Sequence, residues 1–312
     1  MTQQVEAIAR RLETVNQLEE VVTAMRGIAS SRVHEAEQSL EAVRAHARTL
    51  GEAIGEALSL IDRATPLDRK GDSGKQVIIL LTAEQGFVGS FCDSALDAAQ
   101  HEFASAADGA VELMIAGSRG SNLARDRRIA VTAATRMPLH LREVVPLANR
   151  LTDELFQRVA EGDVSRITLV HAAPGKDTWG EFRPTTLIPF DYGRFQARPK
   201  LIPPIVTMPP GRLLQMLAEE YVFAELCEAL TVGFAAENEA RLRAMMSATE
   251  NVRRSAEDLT NAYLQSRQRA ITEEVIELAE SSIEHREHTK GIRRTATTER
   301  QSSPYPGSNL KT

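Results

Sequence analysis

VEAIARRLETVNQLEEVVTAMRGIASSRVHEAEQSLEAVRAHARTLGEAIGEALSLI, residues 5–61, contains no proline and repeats apolar or small side chains along its whole length. They fall at 5, 8, 12, 15, 18, 22, 25, 29, 33, 36, 40, 43, 47, 50, 54, 57 and 61, which is 56 residues in 16 steps, a mean of 3.5. That is the spacing of a coiled-coil seam and not the 3.6 of a lone straight helix. The helix is predicted to run unbroken to 62–68, where Pro66 ends it. At 1.5 Å per residue it is roughly 85 Å long, more than twice the width of a small domain.

A second such stretch follows the punctuation Pro203, Pro204, Pro209, Pro210 and Gly211, which reads as a linker and a helix start. No proline interrupts 212–285, and positions 235, 238, 242, 245, 249, 252, 256, 259, 263, 266 and 270 again step by three and four. Their side chains are Ala, Asn, Leu, Met, Thr, Val, Ala, Leu, Tyr, Ser and Ala. Asn238, Thr249 and Ser266 give up apolar burial that Leu or Ile would supply. Two readings stay open on this feature: a slender helix pair that fits inside something else, or a weak coiled coil whose polar positions fix register.

Between the helices the period changes to short apolar runs bounded by turn residues: VIILL at 77–81, VELMIA at 111–116, IAVTAA at 129–134, RITLVHA at 166–172 and TTLIPF at 185–190. Helical spacing separates some of them, at 93–104 and 145–160. The predicted fold is α/β: a long antiparallel two-helix coiled coil of the N- and C-terminal helices, with a small, mostly parallel, Rossmann-like domain inserted between them. The expected divisions are 1–65, 66–208, 209–285 and a disordered tail at 286–312, rich in Thr, Ser and Arg.

Composition agrees with long helices and excludes several functions. Aromatic residues are only 4% of the chain, too few for one conventional core of this length, and a net charge of −6 lacks the basic excess of a nucleic-acid binder. Cys92 and Cys227 have no metal-ligand or disulfide-framework spacing and read as two free thiols. The opening MTQQVEAIARRLE lacks the apolar core of a secretory signal, and the run at 77–81 is far too short to span a bilayer.

A nucleotide enzyme is the natural rival, and its motifs are incomplete. Gly86-Phe-Val-Gly89-Ser90 after the first strand and Gly117-Ser-Arg-Gly120-Ser121 after the second each lack the third glycine of a pyrophosphate turn. Gly71-Asp-Ser-Gly74-Lys75-Gln76 resembles the end of a P-loop, but Gln stands where Ser or Thr would hold magnesium, and it precedes a strand. Of His34, His46, His101, His140, His171, His285 and His288, only the last two share a helical face, beside Glu284 and Glu287 in the tail. Asp191 and Glu181, near Trp179 and Phe182, are two acids with nothing to act on. The sequence demands no catalyst, no cofactor and no metal.

The C-terminal helix carries a resemblance. Glu228-Ala-Leu230, Ala236-Glu237, Ala240-Arg241, Ala244-Met245, Ala248-Thr249, Asn251, Asp258-Leu259-Thr260, Tyr263, Arg267-Gln268 and Ala270-Ile271-Thr272 resemble the pattern EAL, AExxAR, AMxxAT, N, DLT, Y and RQxxIT. That is the pattern of F-type ATP synthase gamma subunits. Thr23-Ala-Met25-Arg26 with Ala29-Ser-Ser-Arg32 is similar to that family's TKAMKMVAAAK block, and Glu84-Gln-Gly-Phe-Val-Gly-Ser90 to its SDRGLCGG turn. The likeness covers about 5–285, and it is strong in the last 60 residues of that span and diffuse in the insert.

What the resemblance implies is a non-catalytic rotor, one copy per complex, turning inside a hexamer of alpha and beta subunits that hold the nucleotides. Its lower half would bind the epsilon subunit and the membrane c-ring, at the cytoplasmic face of the cell membrane. Ion flow through the c-ring would thereby be coupled to ATP synthesis or hydrolysis. By resemblance, Arg267, Gln268 and Thr272 contact beta-subunit loops, with Met25 on the facing helix at that level. Two departures, Ser281-Ser282 in place of a Gly-Ala pair and the basic tail beyond it, suit a divergent branch such as the sodium-translocating N-type. Ion choice is made by c-ring ligands, so this chain does not report it. The alternative from another class is a non-rotary coiled-coil scaffold with a Rossmann-like interaction domain, which predicts a stable homodimer.

Overall fold

The computed structural model describes residues 2–61, 74–105, 111–174, 179–196 and 205–299. The chain is mostly helical, with one five-stranded sheet, and divides into two compact units. One unit is Val21–Thr249; the other joins Met1–Glu20 to Glu250–Thr312.

In the first unit the sheet is built from β1 (Lys75–Leu81), β2 (Val111–Ala116), β3 (Ala133–Thr135), β4 (Val164–Pro174) and β5 (Trp179–Ile188), in the order β3-β2-β1-β4-β5. β1 runs parallel to both β2 and β4, β2 runs parallel to β3, and β5 pairs antiparallel with β4. From Val77 to Leu81 β1 is an unbroken apolar run because both of its faces are covered, as parallel strands require. Successive side chains point to opposite faces, so Val77, Ile79 and Leu81 meet α4 (Val144–Ala160) and the long helix α5 (Pro210–Glu299) through Leu147, Leu151, Leu155, Leu226 and Leu230. Ile78 and Leu80 meet α2 (Phe91–Ser105) and α3 (Ser118–Asp126) through Ala95, Leu96, Ala99 and Ala124.

α1 (Thr2–Leu58) packs on α5 within this unit, and the pairs run in opposite directions. Ala36 lies with Phe234 and Ala235, the Arg44 guanidinium donates to Glu228 at 2.8 Å, His46 is 3.5 Å from Glu220, and Ile54 and Ala57 lie with Leu214. The helix ends in tight turns at 59–61, and Pro66 lies outside the described residues. Pro210 opens α5, where its missing N–H removes a donor that would have no helical partner.

In the second unit the apolar positions of both helices are covered on one side. Val5, Ile8, Leu12 and Val15 of α1 are half-buried, as are Ala256, Leu259, Tyr263, Ser266 and Ala270 of α5. Over 271–281 every side chain is exposed.

The structure revises the sequence reading in four places. β3 is confined to Ala133–Thr135, because Ile129 and Thr132 instead donate to Ala124 and Leu113 from an incoming loop. β5 begins at Trp179 and folds back on β4, so the sheet is mixed. α3 was read as a glycine turn, yet its glycines serve close approach: a β-carbon on Gly120 would lie 2.1 Å from Thr82 Oγ1. α5 continues to Glu299, past the expected helix end at 285, in a stretch with no proline before Pro304, and residues 300–312 of the expected tail lie outside the described residues.

Candidate functional site

Because β1 leads to β2 on one side while β4 lies on the other, the strand order reverses next to β1, and the crevice beyond its C-terminal end is where parallel sheets of this kind take ligands. The turn at 84–90 and the start of α3 both point backbone N–H groups into that crevice. Each set already has an anion, and both anions come from the chain itself.

The Glu237 carboxylate, on α5, accepts from the Glu84 N–H at 3.0 Å and the Gln85 N–H at 3.1 Å. It also accepts from Arg241 Nη2 at 2.6 Å. Arg241 in turn donates from Nη1 to Asn238 Oδ1 at 3.0 Å and from Nε to the Gly86 carbonyl at 3.3 Å. Glu237, Asn238 and Arg241 are 3%, 1% and 5% exposed, a depth at which charges persist only when paired and hydrogen-bonded. The Glu84 carboxylate occupies the second set, accepting from the Ser118 N–H at 3.0 Å, the Met137 N–H at 3.0 Å and the Ser118 hydroxyl at 2.7 Å. Ser118 is the first residue of α3, where a helix N-terminus favours negative charge. A phosphate would need these same donors.

Apolar side chains wall the crevice. Ala83, Val88, Phe91, Cys92, Ala172, Ala236 and Ala240 form one buried cluster, with Phe91 and Phe182 rings 5.1 Å apart. Phe87, at the tip of the turn with φ 60°, points out and is 67% exposed. Burial pushes the Cys92 thiol above its ordinary range, and burial followed by the Glu220 charge pushes Cys227 up to about 11. Neither is a thiolate nucleophile at neutral pH.

The P-loop look-alike is also committed elsewhere. Its residues 71–73 lie outside the described residues, and Lys75 is bound at 3.0 Å to Glu112 and 3.1 Å to Asp163. Among the described residues no group of three or more His, Cys, Asp or Glu side chains is placed to hold a metal. The side chains of His285 and His288 lie outside the described ones.

The residues expected to contact a partner are divided between the two units. Arg267, Gln268 and Thr272 are exposed on α5 in the second unit, where the Thr272 hydroxyl donates to the Gln268 carbonyl at 2.9 Å. Met25 is half-buried on α1 in the first unit. Within the first unit, the opposed numbering of the α1–α5 pairs, carried to Met25, falls at Met245. Sequence reading missed Glu84, Glu237 and Arg241 as a set. The available signal was an acid and a base four apart at 237 and 241, beside seam positions already read as buried.

A family model described as ATP synthase matches residues 4–282. The chain is 24% identical over 283 residues to the ATP synthase gamma chain of Chlorobium phaeobacteroides (strain BS1), covering 87% of this chain and 95% of that one. It is 27% identical over 282 residues to the ATP synthase gamma chain of Sulfurovum sp. (strain NBC37-1), with the same coverage, 87% and 95%. Its fold is similar to a chain of the Euglena gracilis mitochondrial ATP synthase in rotational state 3, with TM-score 0.60 and 12% identity over 100% of both chains. A chain of the Tetrahymena thermophila mitochondrial ATP synthase central stalk and c-ring matches with TM-score 0.50 and 16% identity, covering 73% of this chain and 99% of that one. The donors that a nucleotide would need are filled from within, and the match runs nearly end to end: this chain belongs to the ATP synthase gamma family.

Proposed function

We propose that this chain is the central-stalk rotor subunit of an F-type ATP synthase, coupling ion flow through a membrane c-ring to ATP synthesis or hydrolysis at the beta subunits. The observation that carries this reading is the family match over 4–282, together with a C-terminal helix whose covered stripe is small and on which Arg267, Gln268 and Thr272 are exposed. In this reading α1 and α5 form an antiparallel coiled coil, divided from the insert near 65 and 209. The pair is narrow enough to turn inside a close-fitting sleeve of alpha and beta subunits. The subunit is non-catalytic: it works by favouring different beta-subunit conformations at different orientations, which is differential binding energy between states.

Arg267, Gln268 and Thr272 are the residues we assign to the beta-subunit loops, with Met25 on the facing helix α1. The insert and the adjoining helix ends take the epsilon subunit and the c-ring, with one copy per complex. The chain is then peripheral, at the cytoplasmic face of the cell membrane. Among the described residues no helix is long and apolar enough to cross a membrane, which agrees with attachment through the c-ring. The rival scaffold reading predicts a free homodimer. Co-purification from cells is expected to yield alpha, beta and this chain in a three to three to one ratio; a free dimer without those partners overturns the rotor reading.

A further inference from the structure

The latch formed by Glu237 and Arg241 lies at a particular place on α5. Residues 231–238 are buried without exception, as are Ala240 and Arg241, with only Glu239 half-buried between them. From 242 onward burial falls to a single stripe, with Arg243, Met246 and Ser247 exposed. The latch therefore sits at the root of the shaft, where α5 passes from a helix enclosed by the sheet and α1 to a helix covered on one side.

The other tie between sheet and α5 is apolar. Leu226 and Leu230 pack in the same cluster as Ile79 and Leu81. Such packing is strong but non-directional, and it resists separation better than it resists slip or twist. Charged hydrogen bonds are directional. At the root of α5 there are five of them between the helix and the 84–86 turn or within the helix: two from the Glu84 and Gln85 amides to Glu237, and one each from Arg241 to Glu237, to Asn238 and to the Gly86 carbonyl. The turn is held at its other end by Glu84, whose carboxylate bonds Ser118 on α3 and Met137 beyond β3. Glu237, the 84–86 turn, Glu84 and α3 thus form one polar chain from the helix to the far side of the sheet.

We propose that Glu237 and Arg241 are positioning residues for rotation, a latch that fixes the angle of the α/β sheet on α5 so that torque applied to the sheet reaches the shaft without slip. This rests on the rotor reading above. A residue that only stabilised the fold would lower assembly or activity as a whole; a torque latch affects the ratio of transport to hydrolysis.

The test uses the assembled ATP synthase carrying this chain, with Glu237→Gln and Arg241→Lys compared separately with the unaltered chain. Glu237→Gln keeps shape but loses the charge that faces two amides and Arg241. Arg241→Lys keeps the charge, loses the Gly86 and Asn238 contacts, and serves if the first variant does not assemble. Three quantities are read: hydrogen exchange at the Glu84 and Gln85 amides, ATP hydrolysis rate, and ions moved per ATP hydrolysed. Exchange at the two amides is expected to rise about tenfold or more as the turn opens locally. Hydrolysis is retained, and ions moved per ATP fall severalfold. Faster exchange with an unchanged ion-to-ATP ratio overturns the latch, as does a parallel fall of transport and hydrolysis, which is a structural role only. Unchanged exchange in both variants overturns it too. If the unaltered chain joins no such complex, the rotor reading itself fails, which is a different result from a coupled complex indifferent to the latch.

Discussion

Gly120 shows how tightly a single position can be set. Added there, a β-carbon would lie 2.1, 2.4 and 2.6 Å from three atoms of the Thr82 side chain, whose hydroxyl donates to the Ala116 carbonyl at 2.9 Å. Gly120→Ala must displace Thr82 from that bond, so it is expected to cost about 1–3 kcal/mol in unfolding free energy, read from the urea midpoint. Gly27, in the middle of α1, has nothing within 4 Å of the corresponding position. Gly27→Ala should therefore shift the midpoint the other way, by about 0.5–1 kcal/mol, through helix propensity alone. Equal effects from the two substitutions would remove close approach as the reason for Gly120.

At the scale of elements, the long helices were the most legible part of the sequence. All eleven seam positions predicted on α5 are buried or half-buried, and on α1 Leu18, 48% exposed, is the exception. A period repeated over dozens of residues averages out single conflicts, which is why it survives. α3 did not, because glycine marks both turns and close contacts and the local sequence does not say which. The Glu84–Glu237 latch was illegible for another reason: its partners are more than a hundred residues apart, and nothing local records the pairing. On α5, Arg267 and Gln268 are exposed, so Arg267→Ala with Gln268→Ala is expected to leave thermal unfolding within about 0.5 kcal/mol of the unaltered chain. The same pair of substitutions should lower the coupling of the assembled enzyme. Unchanged coupling removes both residues from the contact set.

At the scale of a whole unit, two thiols report on cooperativity. Cys92 lies in the crevice cluster and Cys227 in the core between the sheet, α4 and α5; both are free and buried in Val21–Thr249. If that unit opens as a single body, the two thiols react with a disulfide reagent at matching rates that follow global unfolding in denaturant. A Cys92 rate well above that of Cys227 would show that the crevice opens alone.

The internal carboxylates at the end of β1 have one more consequence, which is competitive. A group tethered by its own fold acts on its site at an effective concentration of at least millimolar order, with no loss of translational freedom on binding. A nucleotide or phosphate in solution would have to displace Glu237 from the Glu84 and Gln85 amides and leave Arg241 buried without its partner. For a protein proposed to turn among subunits that bind and release ATP at every step, such a crevice is self-inhibited. It has the crevice of a doubly wound sheet, with the donors at its mouth already held by the chain's own carboxylates.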